Sequence, residues 1–410
     1  MAEYNFAISQ PVRIEFGEGK AERIQELADK YGFKKGILVC DKLFVNNGYA
    51  QKLIDITSSL VDVYSDITPN PLISEVLKAC ELIIKSKADY VVAMGGGSSM
   101  DLAKFACAMV YEEGDILDYF YGRKAFTKKP IPLIVIPTTA GTGSEVTSVS
   151  VCTNDKTGDK VALAREVFFA HTALVDPNLT HSLPPFVTAT TGLDAMAHAM
   201  EAYWCKAHNP ISDGLAITAL KKIFGNLLDA YKDGNNAKAR EEMSLGSLIA
   251  GLAFAPTRTA GVHACSYPLS MYKHLCHGEA CAFTLDSFIR INGKADYQRM
   301  TYLAKEVGFD SIDDMANRVY ELKKEMGMKL TLKDAGIDDV AFMAEKCANE
   351  PLFNNNTVKL NKEQLEEMFN NLRWHPISRI QKLWEKVIKP MSNSLFGQRV
   401  RCLDYNLQRN

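Results

Sequence analysis

Asp194 and His198 stand four residues apart in Thr191-Gly192-Leu193-Asp194-Ala195-Met196-Ala197-His198-Ala199-Met200-Glu201. This is a run of good helix formers, so the carboxylate and the imidazole share one helical face. Both donor types suit Fe(II) or Zn(II). His263 and His277 would complete a four-ligand set that leaves a position for a substrate oxygen, which is a Lewis-acid arrangement. His274, three residues before His277, competes for the last place. Cys265, Cys276 and Cys281 cluster near these histidines. Sulfur ligation is conceivable there, although a small buried hydrophobe is the commoner role of a reduced cysteine.

A second kind of chemistry lies upstream. The apolar run Tyr90-Val91-Val92-Ala93-Met94 leads through Gly95-Gly96-Gly97-Ser98 into a helical stretch. Strand, glycine turn and helix start make a phosphate cradle, because the backbone can approach the ligand and its N–H groups aim at oxygen. The spacing is not that of the G-x-G-x-x-G fingerprint, and three glycines also suit a tight turn. A second loop of small residues, Pro137-Thr138-Thr139-Ala140-Gly141-Thr142-Gly143-Ser144, follows the apolar run Leu133 to Pro137. Two such loops at successive strand ends favour a dinucleotide, since open α/β sheets bind ligands beyond their carboxyl ends. Asp41 closes Ile37-Leu38-Val39-Cys40. It either accepts hydrogen bonds from an adenosine ribose, which favours NAD(H) over NADP(H), or caps the next helix.

The elements that must position these groups can be read from periodicity. Short β-branched runs at Gly36 to Cys40, Tyr90 to Met94, Leu133 to Pro137 and Ala173 to Val175 alternate with helical stretches at Ala21 to Tyr31, Ile73 to Lys85 and Ser99 to Val110. That alternation predicts a doubly wound α/β domain over residues 1–184. From Pro185 the strand signals fade. Ser212 to Tyr231, Ala237 to Ala253 and Lys362 to Met368 carry helical periodicity, predicting an all-α domain over 185–390 and a polar tail over 391–410.

A chain of 410 residues is long enough for two cores. Its formal charge of -2 and pI near 6.5 argue against nucleic acid or an anionic membrane as partner. No apolar run reaches the ~18 residues that span a bilayer. Ten cysteines scattered without a C-x-x-C pair suit reduced thiols, so a cytoplasmic protein with a small-molecule partner is expected.

Taken together, Gly95-Gly96-Gly97-Ser98 with Asp101 and Lys104, the Pro137 to Glu145 loop, the Gly192 to Glu201 run and the His263 to His277 segment resemble the iron-containing (group III) alcohol dehydrogenase family, over about residues 5 to 390. The resemblance implies a Rossmann-like, dehydroquinate-synthase-like dinucleotide domain and a helical metal-binding domain, with cofactor and metal meeting between them. It also implies a homodimer or larger assembly. It makes Asp194, His198, His263 and His277 the ligands of one divalent metal, preferring His277 over His274 by the His-Gly pairing. Around NAD it places Asp41, Asn70, Gly96, Gly97, Ser98, Thr138, Thr139, Thr142 and Lys160.

Where the family usually has a histidine four residues after the third ligand, this chain has Tyr267. A tyrosine donates a hydrogen bond to a substrate but is a poor base at neutral pH, and it is equally a packing aromatic. Arg258 lies five residues before His263, where a guanidinium would grip sulfonate, phosphonate or carboxylate oxygens, or else pair with an acid of its own domain. With Ser266 to Leu269 and Ala202-Tyr203-Trp204, Arg258 and Tyr267 make the chain similar to the branch that reduces small anionic aldehydes such as sulfoacetaldehyde and phosphonoacetaldehyde. His274 is then a candidate to line the substrate pocket. Two alternatives stand beside this. One is reduction of uncharged aldehydes to short-chain alcohols or diols, of the lactaldehyde, 1,3-propanediol or butanol type. The other is a metal- and NAD-dependent cyclase of the dehydroquinate synthase type.

Overall fold

The structure, a computed structural model, describes residues 5–372, so the tail expected at 391–410 and the end of the helical domain lie outside the described residues. Six strands form one parallel sheet: β1 (Arg13–Phe16), β2 (Gly36–Cys40), β3 (Leu60–Tyr64), β4 (Tyr90–Gly95), β5 (Leu133–Pro137) and, after a hairpin, β8 (Thr172–Val175). Their order is β1-β8-β5-β4-β2-β3, with every pair parallel. The hairpin, β6 (Val149–Thr153) and β7 (Lys160–Ala164), pairs antiparallel outside this sheet.

Alternation along the central strands explains why they read as unbroken apolar runs. Ile37 and Val39 of β2, Val91 and Ala93 of β4 and Leu133 and Val135 of β5 enter one core. Leu38, Cys40, Val92, Met94, Ile134 and Ile136 enter a second core on the opposite face. A parallel sheet covered on both faces demands this. Because β2, β4 and β5 are neighbours, the loops that begin at Asp41, Gly95 and Thr138 leave the same edge of the sheet.

Beyond Val175 the described residues are helical, from Pro185–Trp204 through Pro210–Lys232, Ala237–Thr257, Gly261–Lys273 and His277–Ala295 to Lys362–Asn371. By contact density the chain divides into two compact units: one comprises residues up to Ala195 together with Gly225–Pro256, the other Met196–Phe224 with the chain from Thr257 onward. No helix among the described residues is long and apolar enough to cross a membrane.

Candidate metal centre and cofactor loops

Helix Pro185–Trp204 carries Asp194 and His198 one turn apart. Leu193, Ala195, Met196, Ala197, Ala199 and Met200 are all completely buried on it, so both polar side chains are drawn into the interior, Asp194 at 3% exposure and His198 at 5%. A charge withdrawn from water this far needs a compensating partner, and a metal ion is one. His263 lies near the start of helix Gly261–Lys273, while helix His277–Ala295 opens on His277 and turns once to Cys281.

These elements gather a carboxylate oxygen of Asp194, one nitrogen each from His263 and His277, and Cys281 Sγ, all within 4.8 Å of one another. Hard oxygen, two imidazoles and sulfur at such separations form a donor set that fits a divalent transition metal. His198 stands beside this four-atom group. Its ring stacks on that of His263, with centroids 4.6 Å apart and planes at 22°. The Tyr267 ring lies nearly parallel to His277, at 6.2 Å and 29°. Burial pushes its phenol up to about 12. Tyr267 therefore keeps its proton at neutral pH and acts as a hydrogen-bond donor. His274 is not brought into the group, since it ends its helix with a left-handed φ of 56° and is exposed.

Glu201 belongs to the site although it was not among the residues singled out from sequence. It is fully buried one helical turn beyond His198. One carboxylate oxygen accepts from the backbone N–H of Val262 (2.6 Å) and of His263 (3.3 Å), and the other takes the Nδ1 proton of His263 at 2.5 Å. A carboxylate can only accept, so the proton sits on Nδ1 and Nε2 becomes the ligating nitrogen. The available signal was spacing, because Asp194, His198 and Glu201 repeat at four and three residues along one face.

Arg258 occupies the turn between helices Ala237–Thr257 and Gly261–Lys273. Its φ of 67° is left-handed, a conformation that disfavours any residue with a Cβ. Asn355 Nδ2 donates to the carbonyls of both neighbours, Thr257 (2.8 Å) and Thr259 (3.1 Å), and Asn356 Oδ1 accepts from Gly261 N–H, so the turn is clamped. The guanidinium is half-buried, and burial lowers its pKa from the ordinary arginine value. Its Nη1 is shielded from solvent with no hydrogen-bond partner among the described residues.

The cofactor loops meet at the sheet edge. At Gly95, φ is 154° and a Cβ would lie 2.3 Å from Ser99 Oγ, so only glycine can end β4 and let helix Gly97–Met109 begin there. Gly96 faces Thr139, and Gly97 packs so closely on Thr142 that a Cβ would sit 3.1 Å from its methyl. The two loops thus form one wall, tied further by Thr138 N–H to the Gly95 carbonyl at 3.0 Å. Asn70, left-handed at φ 58°, donates its N–H to Ser98 Oγ (3.3 Å). Asp41 caps helix Lys42–Asn46 through Leu43 N–H (2.8 Å) and is exposed on the same edge, so capping occupies one of its oxygens. Lys160 opens β7.

Lys104 anchors the second loop from below. Its fully buried ammonium donates to Ser144 O (2.6 Å), Ser144 Oγ (2.8 Å) and Val149 O (2.9 Å), while Asp101 accepts from Ser144 Oγ (2.9 Å). Burial pulls its pKa down to about 8. Lys104→Met would leave these buried acceptors and Asp101 uncompensated and is expected to destabilise the protein by about 3 kcal/mol or more. Urea denaturation checks this, and an unchanged midpoint would show that the network is dispensable.

Residues 11–177 match the model described as iron-containing alcohol dehydrogenase, and residues 188–372 match the C-terminal model of the same family. Sulfoacetaldehyde reductase from Bifidobacterium kashiwanohense, solved in complex with NAD+, superposes with a TM-score of 0.88 at 41% identity, covering 91% of this chain and 100% of that one. Long-chain-alcohol dehydrogenase 1 of Geobacillus thermodenitrificans (strain NG80-2) is 36% identical over 341 residues, 79% of this chain and 85% of that protein. The sulfoacetaldehyde reductase of Bilophila wadsworthia (strain 3_1_6) is 33% identical over 291 residues, 68% of this chain and 75% of its own.

Proposed function

The chain belongs to the iron-containing alcohol dehydrogenase family, and from that premise we propose that it uses NADH to reduce a small anionic aldehyde, sulfoacetaldehyde foremost, to the corresponding alcohol. One observation carries the substrate class. A half-buried guanidinium with no acid paired to it among the described residues, fixed on a strained and clamped turn five residues before His263, calls for an anion from outside the chain. A planar fork of N–H donors matches sulfonate oxygens. An uncharged alkyl aldehyde would leave that charge uncompensated. The likeness to two sulfoacetaldehyde reductases supports the same assignment.

Within this assignment Asp194, His198, His263 and His277 hold the metal, Fe(II) or Zn(II). Asp41, Asn70, Gly96, Gly97, Ser98, Thr138, Thr139, Thr142 and Lys160 surround NAD. When both are bound, the metal supplies Lewis acidity toward the substrate oxygen and NADH supplies the hydride. The protein's own contributions are positional. Glu201 keeps His263 in one tautomer, Arg258 orients the anionic end, and Tyr267 offers an O–H to a substrate oxygen while staying protonated. Helix Gly97–Met109 aims its first N–H groups at the pyrophosphate. The exposed Asp41 would repel a 2′-phosphate, which favours NAD(H) over NADP(H). The nine described cysteines form no disulfide, which suits a cytoplasmic enzyme, and we take the assembly to be a dimer or larger.

NADH oxidation with sulfoacetaldehyde, phosphonoacetaldehyde, propanal and lactaldehyde tests the proposal. Sulfoacetaldehyde should give a kcat/KM roughly tenfold or more above propanal, as a charged hydrogen bond worth ~1.5–3 kcal/mol requires. A preference for propanal or lactaldehyde overturns the anionic substrate, and no oxidation with any aldehyde overturns the reductase itself.

A further inference from the structure

We infer that Cys281 supplies a sulfur ligand to the metal centre, so that the ion sits in a mixed oxygen, nitrogen and sulfur field; this rests on the metal site proposed above. The thiol arrives by helical spacing. Cys281 lies one turn after His277 on helix His277–Ala295, so both side chains share one face. Its Sγ is 3.9 Å from His277 Nε2 and within 4.8 Å of the Asp194 and His263 donor atoms. Two atoms bound at about 2.0 and 2.3 Å to one tetrahedral ion lie about 3.5 Å apart, so the contraction needed on metal binding is only a few tenths of an ångström.

The surroundings separate this thiol from the other buried ones. Cys80, Cys107 and Cys152 are packed in the apolar core on one face of the sheet and Cys40 in that on the other, the ordinary place for a small hydrophobe. Cys281 is equally buried, but its sulfur faces a carboxylate and two imidazoles. Cys276, next to His277 in sequence, is exposed and outside the group. Thiolate is the softest donor a protein offers, so its presence moves the preference of the site from Fe(II) toward Zn(II) or Co(II).

The test reads the coordination sphere and not turnover. X-ray absorption on the zinc-loaded wild-type protein should show a sulfur shell at about 2.3 Å beside the nitrogen and oxygen shell at about 2.0 Å. The Co(II)-loaded protein should show a thiolate-to-metal charge-transfer band in the near ultraviolet. That band should vanish in Cys281→Ala and persist in Cys276→Ala and Cys265→Ala, each with a native far-ultraviolet circular dichroism spectrum. Bound zinc with nitrogen and oxygen neighbours alone, or a band that survives in Cys281→Ala, overturns the sulfur ligand and leaves the proposed function standing. A wild-type protein that retains neither zinc nor cobalt overturns the metal centre itself, and Cys281 as its ligand with it.

Discussion

Alanine at His263 is expected to strip the metal from the protein and lower aldehyde reduction by roughly 10³-fold or more, the consequence of losing about 4 kcal/mol or more of Lewis-acid stabilisation. The fold should survive, because His263 sits in the first turn of a helix whose neighbours Val262, Ala264 and Cys265 are completely buried and pack independently of it. Glu201→Gln provides the graded companion. Glu201 accepts three N–H groups, and an amide in its place must turn its own N–H₂ toward one of them. The amide can then donate to Nδ1, which forces the proton onto Nε2 and removes the lone pair that would ligate. Metal affinity should fall about 10- to 100-fold, the usual effect of losing the partner that orients a ligand. Elemental analysis and competition with a chelator read both variants directly. Full metal content in His263→Ala would remove this histidine from the centre, and unchanged affinity in Glu201→Gln would reduce the glutamate to a packing residue.

Sequence alone revealed the parts of this molecule whose physics is local. The four central strands buried on both faces, β2, β4, β5 and β8, declare themselves as apolar runs. The outer strands do not. Arg13-Ile14-Glu15-Phe16 and Leu60-Val61-Asp62-Val63-Tyr64 lie at the two edges of the sheet, where one face or the open edge meets water and charged residues interrupt the pattern. Asp194 and His198 were legible because i, i+4 spacing is a property of one helix. Cys281 was visible too, but only as a thiol near histidines, since its convergence with Asp194 and His263 depends on how three helices pack. The buried contact from Glu201 to His263, 62 residues apart, is tertiary in the same way. Asp41 shows that two candidate roles need not exclude each other: it caps a helix with one oxygen while exposed at the cofactor edge. Nothing in the letters Thr-Arg-Thr announces a left-handed arginine. Only the asparagine clamps on either side of it reveal that the backbone is held there.

That strained arginine gives the sharpest discrimination between a structural and a functional role. Arg258→Ala is expected to lower kcat/KM for sulfoacetaldehyde and phosphonoacetaldehyde by roughly 10- to 150-fold, equivalent to ~1.5–3 kcal/mol for a hydrogen bond to a charged group, and to leave propanal nearly unchanged. Lysine at the same position keeps the charge but loses the planar fork, so it should fall between wild type and alanine. Glycine separates the two roles further. At φ 67° a residue with a Cβ costs about 1–2 kcal/mol relative to glycine, and wild-type Arg258 bears that strain without an ion pair among the described residues to offset it. Arg258→Gly should therefore match or exceed wild-type stability in urea denaturation while losing the anionic substrates as alanine does. A structural arginine would behave in the opposite way, with stability falling and all four aldehydes declining together. If stability rises and selectivity for the sulfonate disappears in the same variant, the strain at Arg258 is retained for the substrate and not for the fold.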